Sequence, residues 1–427
     1  MLPTTATPES RRFRTTYGSV SEVSRDEHTT TVTRAPARRL VTFGALAFVG
    51  LLLVAFAARG PFTAVGPLLP RLRADFGLST TAAAVLAAAP IVCFGVLAPF
   101  VPRLTDRVGL HRAVLVGVAI LGAGVVLRAA GLPGLFLGSL VVGMGITVVN
   151  VLLPAVTKSD FPGSLAVVTG LTTTALTVSA SLGAGLAQPL VTVAGGATGS
   201  LLLWALPILA ALLAWAPVAR RSRPAVVSAA QPALRSMLRD RVALAVTLFF
   251  GLQTLTFYTM ITWLPTILHD DAGLSLSSAG ALVAVATAFG GPTSFLVPWL
   301  AGRTASQGLW VVAVTVPMAV ALVGLTVAPA ASPVLWTMLW GIGNGASFPL
   351  AMILVLLRTR DSAQTARLSA TAQCLGYLLA ASGPLAAGAL FDVTSSWTPG
   401  MAALVGLLVF QLMAGWAAAR PRFVGAA

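Results

Sequence analysis

Between residues 218 and 241 the chain reads Val218-Ala219-Arg220-Arg221-Ser222-Arg223-Pro224 and closes on Gln231-Pro232-Ala233-Leu234-Arg235-Ser236-Met237-Leu238-Arg239-Asp240-Arg241. No other internal stretch is as polar. Before it lie six apolar runs, at about 41–70, 81–101, 112–130, 134–157, 164–188 and 198–217. After it lie six more, at about 242–268, 276–300, 309–328, 333–357, 364–390 and 398–419. About 20 apolar residues in a helix cross the hydrocarbon core of a bilayer. Proline and glycine inside such runs do not veto a helix, because neighbouring helices re-satisfy the freed backbone groups. The pattern predicts an all-α membrane protein of 12 transmembrane helices, six on each side of the polar stretch.

Composition demands the same class. Hydrophobic residues make up 57% of the 427, charged residues 9%, and the mean hydropathy is +0.90. Soluble domains carry about 25% charged residues, so this stock could not cover a water-facing surface. The formal net charge of +15 would suit nucleic acid, but the basic residues alternate in sidedness between the apolar runs, which is a membrane-topology signal. No nucleic-acid partner is expected. Cys93 and Cys374 lie within apolar runs and far apart, and they read as buried thiols rather than a disulfide or metal pair.

With the N-terminus inside, 23 of the 27 Lys and Arg fall on the inner side, leaving Arg71, Arg73 and Arg128 outside and Arg59 within the first run. The positive-inside rule therefore puts both termini in the cytoplasm. The expected organisation is a disordered tail over 1–39, a six-helix bundle over 40–217, a linker over 218–241, a second bundle over 242–419 and a short tail over 420–427. A bacterial inner-membrane location follows, with the lipid bilayer as partner, a monomeric state and no cofactor.

The two halves repeat at an offset near 196. Gly77-Leu78-Ser79 recurs as Gly273-Leu274-Ser275, Val101-Pro102 as Val297-Pro298, and Arg107 as Arg303. Gly143 and Gly145 recur as Gly341 and Gly343. Six spans per half in the same orientation describe a parallel repeat, in which a site between two similar bundles opens to either side as they rock.

After the second run stand Asp106-Arg107-Val108-Gly109-Leu110-His111-Arg112, which resemble the Asp-Arg-x-Gly-x-x-Arg loop signature of the major facilitator superfamily, with Pro102 where a glycine is usual. The resemblance implies a cytoplasmic gating role for Asp106, Arg107 and Arg112. A narrower likeness runs through Arg59-Gly60-Pro61-Phe62-Thr63-Ala64-Val65-Gly66-Pro67-Leu68-Leu69-Pro70, Asn150 to Pro154, Lys158 to Pro162, Trp263-Leu264-Pro265, Phe348-Pro349-Leu350 and Gly376 to Pro384. These segments are similar to the cyanate and 2-nitroimidazole transporters (the CynX/NimT family), with Ala57 in place of that family's asparagine. The likeness implies a major facilitator fold and secondary transport by alternating access.

Arg59 is the prime candidate for contact with a solute. A cation in mid-bilayer costs about 2.5–3.5 kcal/mol on insertion scales, so such residues face cavities and act. Its planar guanidinium suits an anion or a nitro or carboxylate-like group. Asn150, Gln253, Tyr258, Asn344, Gln373 and Tyr377 are the other polar candidates, Gln373 and Tyr377 sharing a helix face. Major facilitators line their cavities with the first, fourth, seventh and tenth spans, which favours those of the six on the last three of these spans. Trp263 and Trp340 read as packing residues. All 12 Asp and Glu and all three His fall in tails, loops or span ends, so neither a central proton relay nor an acid for a cationic drug is present. The expected substrate is a small anionic or polar planar solute; a polyspecific drug efflux carrier is the alternative. A membrane-embedded enzyme ranks below both, for want of an HExxH, an acid pair or a His cluster.

Overall fold

The computed structural model describes residues 37–78, 80–220 and 234–425. Twelve helices are long and apolar enough to cross a membrane. They are α1 (Gly44–Leu69), α2 (Ala89–Val108), α3 (Leu110–Leu127), α4 (Gly131–Asp160), α5 (Leu165–Leu186) and α6 (Ala197–Arg220), then α7 (Arg241–Asp270), α8 (Ser278–Ala301), α9 (Gly308–Val327), α10 (Pro333–Leu357), α11 (Ser362–Phe391) and α12 (Thr398–Ala418). Each matches an expected run. Most of the expected tail, 1–36, and the middle of the expected linker, 221–233, lie outside the described residues; the linker's margins are helical, as a continuation of α6 to Arg220 and a short helix at Leu234–Arg239.

Two stretches depart from smooth helices. α1 breaks: one helix stops at Ala57, a single turn spans Gly60–Thr63, and a third piece runs Val65–Phe76. Pro61 causes this, because its ring lacks an N–H and clashes with the preceding turn. α2 narrows to a 3-10 turn at Ala98–Phe100 and restarts as Val101–Val108, each piece opened by a proline at its first turn. The segment read as a loop after residue 101 is therefore helical up to Gly109, whose φ of 86° ends it.

The repeat is visible in contacts as well as letters. Gly77 and Gly273 both adopt left-handed conformations, φ 63° and 69°, after the first span of their halves. A Cβ on Gly143 would stand 2.7 Å from Pro90 of α2, and one on Gly341 would stand 2.2 Å from the Ala286 carbonyl oxygen of α8. Likewise Gly145 lets α4 close on α3 at Leu121, and Gly343 lets α10 close on α9 at Val314. Small residues permit such backbone approach in membranes. The same two approaches recur in each half, as the parallel repeat predicts.

α4, α7 and α10 are the most enclosed spans. The outer spans show apolar stripes at helical spacing: Val316, Val320, Val323 and Val327 on α9, and Leu206, Leu209 and Leu213 on α6, all exposed. In water such surfaces would aggregate; against lipid they cost nothing.

Candidate functional site

At the break in α1 the chain cannot continue as one helix, and Arg59 becomes the N-cap residue of the one-turn piece. Its carbonyl accepts from the Phe62 and Thr63 N–H groups, which ties its backbone to the turn. Its side chain enters a cavity of about 170 Å³. Arg59 shares this cavity with Gln253, Thr254, Phe257 and Tyr258 of α7, Asn344, Phe348 and Pro349 of α10, and Tyr377 of α11.

The guanidinium stands beside the hydroxyls of Tyr258 and Tyr377. Its carbon lies 5.8 Å from the centre of the Phe348 ring, a cation–π distance. Packing fixes the Tyr377 ring: Phe94 of α2 lies 5.2 Å from it, Phe250 5.7 Å and Tyr258 6.4 Å. Gln253 donates to Thr254 Oγ1, which donates to the Phe250 carbonyl. Asn344 lines the cavity, and its buried Oδ1 has no partner among the described residues. The arrangement offers one fixed positive charge, two hydroxyls, an amide and flat aromatic walls.

Five of the seven candidate contact residues, Arg59, Gln253, Tyr258, Asn344 and Tyr377, meet here. Asn150 and Gln373 meet elsewhere. Gln373 Nε2 donates to the Asn150 carbonyl (3.2 Å) and to Ser369 Oγ (2.8 Å), crossing from one half to the other. The Asn150 amide opens on a chamber of about 20 Å³ that shares Thr173, Leu176 and Phe348 with the main cavity. Both amide atoms are buried without partners among the described residues. Trp263 donates to the Pro384 carbonyl and packs on Trp397, and it lines a separate small cavity with Trp397. Trp340 is fully buried.

Sequence reasoning missed the contributions of α5 and α8. Thr173, Thr177, Thr287 and Ser294 line the main cavity, and Thr173 Oγ1 donates across the halves to the Ser294 carbonyl. Their signal was weak, because a membrane Thr or Ser can satisfy itself on its own helix. Thr177 and Thr287 do bond to carbonyls four residues back.

Between the cavity and the end of the bundle that carries the α6–α7 linker, the halves are closed together. Lys158 Nζ, at the end of α4, donates to the Leu356 and Thr359 carbonyls at the end of α10, at 3.0 and 2.8 Å. Asp106 Oδ2 lies 3.5 Å from Arg367 Nη2 of α11. Arg107 and Arg112 are exposed at the same end. His111 Nε2 bonds Asp160 Oδ2 at 2.8 Å, and Trp215 Nε1 donates to the His111 carbonyl. Of the three candidate gate residues, Asp106 has an ion pair across the halves among the described residues.

Residues 51–384 match the sequence profile of the Major Facilitator Superfamily. The chain belongs to that superfamily, in the group of the cyanate and 2-nitroimidazole transporters. Within the group it is 34% identical to the 2-nitroimidazole transporter of Escherichia coli over 368 residues, 85% of this chain and 92% of that protein. It is 30% identical to the cyanate transport protein CynX of the same organism, over 85% of this chain and 95% of that one. The fold matches the major facilitator proton:xylose symporter XylE with a TM-score of 0.67 at 13% identity, over 89% of this chain and 95% of that one. This major facilitator is a transporter and not an enzyme, and its cavity lies between its two repeats.

Proposed function

We propose that the chain is a secondary carrier for a small anionic or polar planar solute of the cyanate or nitroimidazole kind, bound by Arg59 and moved by alternating access. The single observation that carries the reading is the cavity built on Arg59. Drug-sized pockets run to about 300–1,000 Å³, and this one, at about 170 Å³, suits a single small planar ring or ion. A guanidinium beside two tyrosine hydroxyls attracts anionic or nitro oxygens and repels lipophilic cations, which counts against the polyspecific efflux alternative.

In this reading Tyr258, Tyr377, Gln253 and Asn344 complete the solute's polar shell, and Phe257 and Phe348 stack on its faces. Asn150 and Gln373 stand beneath, on the path toward the linker end. Asp106, with Arg107 and Arg112, braces the gate at that end. The expected topology has both termini and the linker in the cytoplasm of a bacterial inner membrane. It is supported by the charge pattern: among the described residues from 42 onward every Lys and Arg except Arg59, Arg71, Arg73 and Arg128 belongs to the linker end. Six spans then form each rocking bundle, α1 to α6 and α7 to α12.

A binding panel on the purified protein tests the solute class. Cyanate, 2-nitroimidazole and simple aromatic carboxylates are compared with lipophilic cations by thermal shift. Stabilisation by the first group alone is expected. Stabilisation by the cations alone would transfer the protein to the efflux class.

A further inference from the structure

Among the described residues the most deeply buried charge is not in the cavity. Arg128, just past the end of α3, is 1% exposed. No ion pair is recorded for it among the described residues, and its Nη2 has no partner. As a stabilising device this makes little sense, since a buried ion is usually matched or bettered by an apolar side chain of similar size. Its two bonds show where it is directed. Nε donates to Ser139 Oγ of α4 at 3.0 Å. Nη1 donates to the Pro61 carbonyl at 2.6 Å, inside the broken turn of α1 and two residues after Arg59.

We infer that Arg128 is a positioning residue for Arg59, holding the one-turn piece of α1 at the angle that sends the Arg59 side chain into the cavity. The inference rests on the solute-binding reading of Arg59 proposed above. Three other contacts support the same turn. The Gly60 N–H donates to Ser179 Oγ of α5 at 2.8 Å, and Thr63 Oγ1 donates to the Ala180 carbonyl at 2.9 Å. Trp204 closes the remaining side, where a Cβ on Gly60 would stand 2.0 Å from its ring. Arg128 contributes the charge-assisted member of this set, which is also the shortest of the bonds. Gly138 makes room for it: a Cβ there would lie 2.8 Å from Arg128 Cγ. A break with free backbone groups could settle at many angles; the strap from α3 selects one.

The test follows residue 59 itself. In a Cys93→Ala/Cys374→Ala background, Arg59→Cys is treated in detergent with a water-soluble methanethiosulfonate reagent, with and without Arg128→Met. If Arg128 orients the turn, Arg128→Met slows modification about tenfold, as loss of a charge-assisted bond would allow, and Arg128→Lys falls between. Equal rates in correctly folded protein would overturn the inference. Should Arg128→Met fail to fold, Ser139→Ala removes the Nε anchor and is expected to slow modification more mildly; no change there is equally fatal. A second arm measures 2-nitroimidazole affinity. Arg128→Met should weaken it about tenfold with Arg59 present and less than about twofold in an Arg59→Lys background, because residues acting through one another are not additive. Equal weakening in both backgrounds contradicts positioning. If the wild-type protein binds neither 2-nitroimidazole nor cyanate, the solute reading fails, and the thiol arm still decides the role of Arg128.

Discussion

Arg59 is costly to bury and is recovered only through what it binds, so its neighbours can be ranked by how they share its charge. Tyr377 is the best placed of them, its ring wedged between Phe94, Phe250 and Tyr258 and its hydroxyl beside the guanidinium. Tyr377→Phe keeps the packing and removes one hydroxyl. A net hydrogen bond is worth about 1 kcal/mol, so solute affinity should fall about fivefold while the melting temperature holds; calorimetry on the purified variant checks both. Arg59 was legible in the sequence because a charge inside an apolar run has no bland place to go. Arg128 was not, since its position at the end of a run reads as an outer-loop cation. Its burial depends on Gly138 letting α4 close over it, a tertiary fact.

At the scale of elements, the contacts that shut the linker end differ in strength. Lys158 makes two charge-assisted bonds to the carbonyl end of α10, each worth about 1.5–3 kcal/mol. Asp106 faces Arg367 with its side chain 43% exposed, and exposed pairs contribute about 0.2–1 kcal/mol. Lys158→Met should therefore open the linker end far more than Asp106→Asn. Buried Cys374 beside Gln373 reports it: in a Cys93→Ala background, its modification by a thiol reagent should quicken about tenfold for the first and less than about threefold for the second. Below the cavity, Asn150→Leu removes the unpartnered amide of the small chamber while leaving its backbone bond to Gln373 in place. Affinity measured from the cavity side should stay within about twofold and the transport rate should fall, since the interaction lost is made in passage rather than in the bound state. The twelve spans were readable because hydropathy and charge sidedness are local properties. Which face of α4, α5 or α8 meets the cavity is not local. Asn150 turned from the main cavity, and Thr173, Thr177, Thr287 and Ser294 turned toward it, through helix rotations that apolar spans hydrophobic all round do not encode.

For the whole molecule, two parallel six-span repeats meet around one cationic centre and touch on one side of it. Gly143 and Gly341 let spans within each repeat approach closely, and under the proposed alternating access the cross-half contacts of Lys158, Asp106 and Gln373 are among those that break as the carrier turns over. The most direct measurement of this account is the uptake of labelled 2-nitroimidazole and cyanate into proteoliposomes loaded with the same unlabelled solute, for the wild-type protein, Arg59→Lys and Arg59→Ala. Removal of a charged hydrogen-bond partner costs about 1.5–3 kcal/mol, so the account predicts saturable exchange of at least one of these solutes, weakened for Arg59→Lys and lost for Arg59→Ala in protein that remains folded. Undiminished exchange by Arg59→Ala would contradict it.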